Sequence, residues 1–195
     1  HGVDYVEVPL IGGELVDFGA IIRQVTPKTK LVLIQRSKGY DLRPSVTISQ
    51  IGKICELVKK QNPETICFVD NCYGEFVEDK EPLEVGADII AGSLIKNPGG
   101  GIAESGGYIA GTKRAVELAS YRLTSVGTGT EVGATLGQNR NLFKGFFLAP
   151  HIVAQALKTA HFAAYVLEKL GFDTNPKYDE VRSDIIQTIK FGYPE

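Results

Sequence analysis

The stretch that decides the fold begins with LVLIQ at residues 31–35, continues as ISQIGKICELVKK at 48–60 and ends with ICFV at 66–69. The two short, almost wholly apolar runs are typical of buried parallel strands. Between them, apolar side chains recur every three or four positions, and Ser45 or Thr47 can cap the helix that this spacing predicts. A strand, a helix and a strand in this order indicate a βαβ unit and a largely parallel sheet.

The pattern extends in both directions along the chain. An opening strand is predicted at 5–8, and a helical spacing follows at 16–25. Downstream, apolar runs at 88–91 and 108–110 predict two more strands, and the short glycine-rich connection between them favours an antiparallel pair. The fold class we expect is α/β, with a mostly parallel open sheet and helices on both of its faces.

Two further helices set the expected organisation of the chain. Thr112 can cap a helix that reaches about Tyr121, and Pro150 is predicted to open a long helix that ends at Gly171 and connects two domains. Because the sequence contains no Met, we expect a window of a longer protein. The predicted parts are the centre of a large domain at 1–149, the connecting helix at 150–171 and the start of a small domain at 172–195.

The composition excludes several classes of protein. Hydrophobic residues make up 43% of the 195 residues, which is typical of a globular rather than a disordered chain. The formal net charge of -2 gives no field that attracts nucleic acid or an anionic membrane, and no apolar stretch approaches the roughly 20 residues that span a bilayer. Three cysteines cannot all pair within one chain, and none has zinc-site spacing. We therefore expect a cytoplasmic protein without a bound metal.

Two charged residues follow predicted strands and are candidate site residues. In an open α/β sheet, ligands bind beyond the carboxyl ends of the strands. Asp70 directly follows the run at 66–69, and Lys96 follows an apolar segment and precedes one Pro and three Gly. A carboxylate in such a setting needs a cation or hydrogen-bond donors. The alternatives are a turn Asp satisfied by backbone amides and a solvated loop lysine.

An amine and an acid at one sheet edge are the core of a pyridoxal phosphate site. A lysine in a partly dehydrated pocket has a depressed pKa and attacks aldehydes, while a facing carboxylate keeps a ring nitrogen protonated. Ser93, three residues before Lys96, can donate to the cofactor phosphate. Arg36 can contact the cofactor or a substrate carboxylate, although a structural ion pair explains this residue equally well.

Four blocks of the sequence resemble one known family. FVDNCYGEF at 68–76 and ADIIAGSLIKNPGGG at 87–101 are similar to the aluminium-resistance branch of the cystathionine lyase and methionine γ-lyase family. LIQRSKGY at 33–40 and SDIIQ at 183–187 resemble the same branch. The resemblance implies a fold-type I pyridoxal phosphate enzyme that is homotetrameric, a dimer of dimers with active sites shared between subunits.

By this resemblance, Lys96 is the lysine that bonds covalently to the cofactor, Asp70 is the partner of the pyridine nitrogen and Ser93 is a phosphate ligand. The implied activity is β- or γ-elimination from a sulfur amino acid such as cystathionine or methionine, with Lys96 moving the α-proton. Ile95 stands where better-characterised lyases of the family have a hydroxyl residue. A protein that keeps the cofactor for a binding or regulatory role is the main alternative. A nucleotide-binding domain is a weaker one, because it gives Lys96 and Asp70 no linked role.

Overall fold

A four-stranded sheet organises the chain. The computed structural model describes residues 2–123, 126–131, 133 and 135–192. The sheet order follows the chain, and its strands are β1 (Leu31–Gln35), β2 (Ile66–Asp70), β3 (Ile89–Ser93) and β4 (Gly107–Gly111). The first three strands are parallel and β4 is antiparallel to β3. The predicted α/β class, the parallel-dominated sheet and the antiparallel last pair are confirmed.

Four helices and a small hairpin complete the described structure. The helices are α1 (Phe18–Gln24), α2 (Ile48–Gln61), α3 (Lys113–Ser120) and α4 (Asn139–Lys169). Short 3-10 helices span Pro82–Val85 and Asn97–Gly99, and the hairpin pairs β5 (Asp173–Asn175) with β6 (Thr188–Lys190). Within the described part of the chain, no helix is both long and apolar enough to cross a membrane.

The start of α2 shows why the sequence forms a helix there. Thr47 is its cap: the Thr47 hydroxyl accepts from the Gln50 backbone N–H at 3.1 Å, and the Gln50 side chain accepts from the Thr47 N–H at 2.9 Å. This reciprocal pair satisfies two backbone donors that no earlier turn can reach. Of the two caps that the sequence allowed, Ser45 is not used, and its hydroxyl donates to Asp184 instead.

The hydrophobic core lies between the helices α1 and α2 and one face of the sheet. Ile51, Val58, Cys67 and Val69 are at most 1% exposed there. Successive strand residues point to opposite faces, so β1 directs Val32 and Ile34 into this core and Leu31 and Leu33 away from it. Leu31 and Leu33 are 46% and 53% exposed, because β1 is an edge strand with one open face. The expectation of a fully buried β1 is therefore not met in this chain, while helices on both faces of the sheet stay a prediction.

The predicted opening strand is absent. Residues 5–8 have no strand conformation, and Tyr5 is 81% exposed. A strand is stable only when a neighbouring strand accepts and donates its backbone hydrogen bonds, and no strand of the described chain pairs with these residues. An alternation of apolar residues therefore does not by itself produce a strand here.

The long helix α4 begins at Asn139, eleven residues before the predicted start at Pro150 (150 − 139). Proline adopts helical φ and removes one hydrogen bond, so tertiary packing can carry a helix through it. Gly145 supplies that packing: a side chain there would overlap the backbone of Gly99, and one at Gly100 would overlap the backbone of Gly145. The end at Lys169, before Gly171 with φ of 90°, matches the prediction closely.

Candidate active site

The carboxyl ends of β2 and β3 bring three predicted site residues to one edge of the sheet. Asp70 ends β2 and pairs with Ala91 of the parallel strand β3, and Ser93 ends β3 two residues later. Lys96 follows in the loop that leads into the 3-10 helix at Asn97–Gly99. The rule that ligands bind beyond the carboxyl ends of the strands therefore predicts where these side chains lie. Their roles remain predictions.

Asp70 and Lys96 both lack an ion-pair partner within 4.0 Å among the residues that the structure describes. One oxygen of Asp70, Oδ1, accepts the backbone N–H of Cys72 at 3.1 Å, which is the turn contact that the sequence left open as an alternative. The thiol of Cys72 lies beside this carboxylate. Burial and then the charge of Asp70 raise the pKa of the Cys72 thiol. The Asp70 carboxylate is thus held in place and can accept a further hydrogen bond.

The aromatic ring of Tyr73 lies beneath the ammonium group of Lys96. The Lys96 ammonium lies 4.3 Å from the centroid of the Tyr73 ring, within the range of a cation–π interaction. Tyr73 has a φ of 69°, which is uncommon for a residue other than glycine, and its carbonyl accepts the Ile185 N–H at 3.2 Å. No periodicity of the sequence reveals such a backbone.

The electrostatic setting of Lys96 differs from the expectation. Burial alone lowers the pKa of Lys96, but Cys72 and Tyr73 act in the opposite direction and outweigh it, so the pKa is raised above its ordinary value. The side chain is half-buried, and burial is the largest single influence on this pKa, but it is smaller than the influences of Cys72 and Tyr73 taken together. The expected depressed pKa is therefore wrong for this chain by itself.

Arg36 is fully buried and engaged with acidic side chains. Its two terminal nitrogens contact Glu78 at 3.2 Å and Glu81 at 3.4 Å, and one of them donates to Asn71 Oδ1 at 2.8 Å. Gly74 lies so close that a Cβ there would be 2.5 Å from the Arg36 Cδ. These contacts match the structural alternative that the sequence allowed for Arg36. Contact with a cofactor remains a prediction for this residue.

A buried polar network ties the turn after β2 to the Lys96 loop. Tyr108 donates to Glu75 Oε1 at 2.7 Å and accepts from Asn71 at 3.3 Å. The Asn97 side chain donates to the Glu75 carbonyl at 3.0 Å. Burial raises the pKa of Glu75 to about 7, although the hydrogen bond from Tyr108 opposes the shift. Sequence reasoning assigned no role to Tyr108 or to Asn97.

Two of the three consecutive glycines after Lys96 are explained by close backbone contacts. A side chain at Gly99 would overlap the Leu94 carbonyl, and one at Gly100, with φ of 55°, would overlap the Gly145 backbone. The loop and α4 therefore pack backbone against backbone. This close approach fixes the segment that carries Lys96.

One family model and several known proteins are similar to this chain. The family model described as methionine gamma-lyase matches residues 1–195. The Bacillus subtilis protein YnbB is 53% identical over 97% of this chain and 45% of its own length. A solved Listeria monocytogenes protein named for aluminum resistance is 56% identical, with a TM-score of 0.86 over 90% of this chain and 44% of that one. A solved Clostridium novyi protein, named a carbon-sulfur lyase involved in aluminum resistance, is 52% identical, with a TM-score of 0.85 over 90% of this chain and 42% of that one.

Proposed function

Because this chain belongs to the methionine gamma-lyase family, we propose that it is part of a pyridoxal phosphate-dependent carbon–sulfur lyase of fold type I. The chain spans 45% of the length of its B. subtilis relative, so the proposal concerns the longer protein as a whole. The name of the C. novyi structure, a carbon-sulfur lyase, supports this reaction class. The proposed substrate is a sulfur amino acid related to cystathionine or methionine, cleaved by β- or γ-elimination.

The observation that carries the proposal is that Asp70 ends β2 and that Lys96 follows the end of the adjacent parallel strand β3, at the same edge of the sheet. Neither side chain has an ion-pair partner among the described residues; Cys72 is a neighbour of both, and Tyr73 is a neighbour of Lys96. The donor set fits pyridoxal phosphate, which presents an aldehyde, a basic ring nitrogen and a phosphate. An amine, a carboxylate and the Ser93 hydroxyl are the chemical complements of these three groups.

When bound, pyridoxal phosphate withdraws electrons from the α-carbon of an amino acid and so makes its α-proton acidic. Lys96 Nζ would bond to the cofactor and, once displaced by the substrate amine, take that proton. The Tyr73 ring lies under Nζ and stabilises its positive form, which is the form that proton uptake creates. Asp70 would keep the ring nitrogen protonated, and Ser93 would hold the phosphate.

We also propose that the protein acts as a homo-oligomer, a dimer of dimers. Large apolar side chains on the first half of α4 support this: Phe143 is 75% exposed and Phe147 is 83% exposed. A second copy of the protein would remove such a patch from water. Light scattering on the full-length protein tests the proposal, and a monomeric mass would contradict it.

Lys96→Ala tests the cofactor assignment. We expect the purified full-length protein to be yellow and borohydride to bleach it, fixing the cofactor on Lys96. The variant should lose both the covalent absorbance and turnover, whereas Lys158→Ala, which alters an exposed lysine of α4, should keep them. A colourless protein that does not respond to added pyridoxal phosphate would overturn the proposal.

A substrate screen separates catalysis from binding. Cystathionine, methionine, cysteine and homocysteine are incubated with the yellow protein, and pyruvate, 2-oxobutyrate and thiol are measured. Pyruvate indicates β-elimination from cystathionine or cysteine, and 2-oxobutyrate indicates γ-elimination. A yellow protein that releases no thiol from any of them would favour the binding or regulatory role that Ile95 suggested.

A further inference from the structure

A cavity of about 450 Å³ lies between the first half of α4, the Lys96 loop and the turn after β2. This volume is within the range of small-molecule sites. The rings of Phe76 and Phe146 meet edge to face there, with centroids 5.7 Å apart. Most of the wall is apolar, and it includes Phe76, Leu94, Pro98, Leu142, Phe143 and Phe146.

One buried carboxyl group in this wall is only half satisfied. Glu75 is 4% exposed, and its Oε1 accepts from the Tyr108 hydroxyl at 2.7 Å. Its Oε2 has no hydrogen-bond partner in the portion of the chain that the structure describes. Buried polar atoms are almost always hydrogen-bonded in native proteins, so this oxygen is a position for a donor that comes from outside the fold.

The other acid in the wall, Glu81, offers no such position. Its Oε1 accepts the Phe76 N–H at 2.8 Å, and its Oε2 accepts from Asn71 at 3.0 Å and contacts Arg36 at 3.4 Å. Both of its oxygens are therefore engaged. Of these two acids in the wall, Glu75 is therefore the one with an oxygen that has no partner among the described residues, and aromatic rings line the same cavity.

We propose that this cavity binds a small organic cation, an ammonium group carried on an apolar body. The ammonium N–H would donate to Glu75 Oε2 and neutralise the carboxylate, while Phe76 and Phe146 pack against the hydrocarbon. Aromatic rings attract a positive group at their faces, so the rings and the acid favour the same ligand charge. A neutral ligand of the same shape would satisfy the rings but would leave the acid without a counter-charge.

Binding should depend on the ionisation of Glu75. Three ionisable groups face it: Tyr108 through its hydroxyl, and Glu81 and Arg36 through their charges. Because burial raises the pKa of Glu75 to about 7, the carboxylate is mostly protonated at pH 6 and mostly ionised at pH 8. The affinity for a cation should therefore rise by about tenfold between these pH values.

Calorimetric titration of the full-length holoprotein with N,N-dimethylbenzylamine tests the proposal. This tertiary amine stays protonated over the pH range and cannot condense with an aldehyde, so its binding is independent of chemistry at Lys96 and of the proposed lyase activity. Isobutylbenzene has the same shape without the charge. We expect the amine to bind at least about tenfold more tightly than the hydrocarbon at pH 8.

Glu75→Gln provides the decisive variant, because glutamine keeps an acceptor for Tyr108 and removes the charge. It should weaken amine binding at least about tenfold and abolish the pH dependence. Glu104→Gln, an exposed change of equal charge outside the cavity wall, should leave both unchanged. Absence of amine binding, equal affinity for the hydrocarbon, or full affinity in the Glu75→Gln variant would each overturn the proposal.

Discussion

Two regions of this protein each hold an aspartate and a lysine near the end of a strand, yet they differ in how fully these groups are satisfied. Asp184 is 1% exposed and accepts from Ser37 at 2.7 Å, from the backbone N–H of Lys38 at 3.2 Å and that of Ile186 at 3.0 Å, and also from Ser45. Asp70, in contrast, is half-buried and accepts one backbone N–H in the described structure.

The two lysines repeat the contrast. The ammonium of Lys38, which is 2% exposed, donates to the carbonyl and the side chain of Asn175, and burial lowers its pKa. Lys96 has a raised pKa and lies over an aromatic ring. Saturated polar groups fix a fold, because losing any partner leaves a buried group unpaired. Polar groups with remaining capacity at a strand end are positioned for a ligand.

Asp184→Ala should give the largest effect on stability. The substitution removes the acceptor shared by two hydroxyls and two backbone N–H groups, which lie in a buried link between the β1 loop and the C-terminal segment. We expect a loss of about 3 kcal/mol in the free energy of unfolding. Urea denaturation measures it. Asp179→Ala, at an exposed position, is the control, and equal stability of the two variants would contradict the structural role of Asp184.

Glu75 is intermediate between Asp184 and Asp70. One of its oxygens accepts a hydrogen bond, and the other has no partner among the described residues. Its pKa is raised by burial to about 7 from an ordinary value of 4.5, so the folded state holds the proton more tightly than the unfolded state. The stabilisation from this proton is complete below about pH 4.5 and is lost as pH rises through about 7. A shift of this size corresponds to about 3 kcal/mol at most.

Glu75→Gln should therefore flatten the dependence of unfolding free energy on pH between 5 and 8. Urea denaturation at several pH values, for the wild type and the variant, measures the difference between their slopes. The free energies of unfolding of the two proteins should lie closest together at low pH. At high pH the glutamine variant should be the more stable protein. Parallel curves would show that Glu75 does not titrate in this range.

The four strands of the main sheet could be predicted from the sequence because each of them is a short apolar run with its own local signal. LVLIQ at 31–35 needs no distant information to be recognised. The start of α4 cannot be recognised without distant information. The turns before Pro150 are stabilised by contact between Gly145 and Gly99, which are far apart in the sequence. Local periodicity has no access to such a contact.

The same distinction holds for the candidate site. Asp70, Ser93 and Lys96 could be placed at one edge because parallel strands end on the same side of a sheet. The hydrogen bond from Tyr108 to Glu75 spans 33 positions, and that from Ser37 to Asp184 spans 147. The tertiary fold alone brings such pairs together, so sequence reasoning assigned no role to Tyr108 or to Asp184, while it placed Asp70, Ser93 and Lys96 at the strand ends.

Asp70→Asn should have the smallest effect on stability and so separates the two regions most sharply. Asparagine keeps the oxygen that accepts the Cys72 N–H, and no ion pair within the described residues is lost. The free energy of unfolding should change by less than about 1 kcal/mol. Turnover of the sulfur amino acid should nevertheless fall by at least about tenfold, because a neutral amide cannot hold the ring nitrogen in its protonated form. Urea denaturation and thiol release, measured on the same preparation, give the two numbers. If stability fell by as much as in Asp184→Ala while activity followed it in proportion, Asp70 would be a structural residue of the same kind.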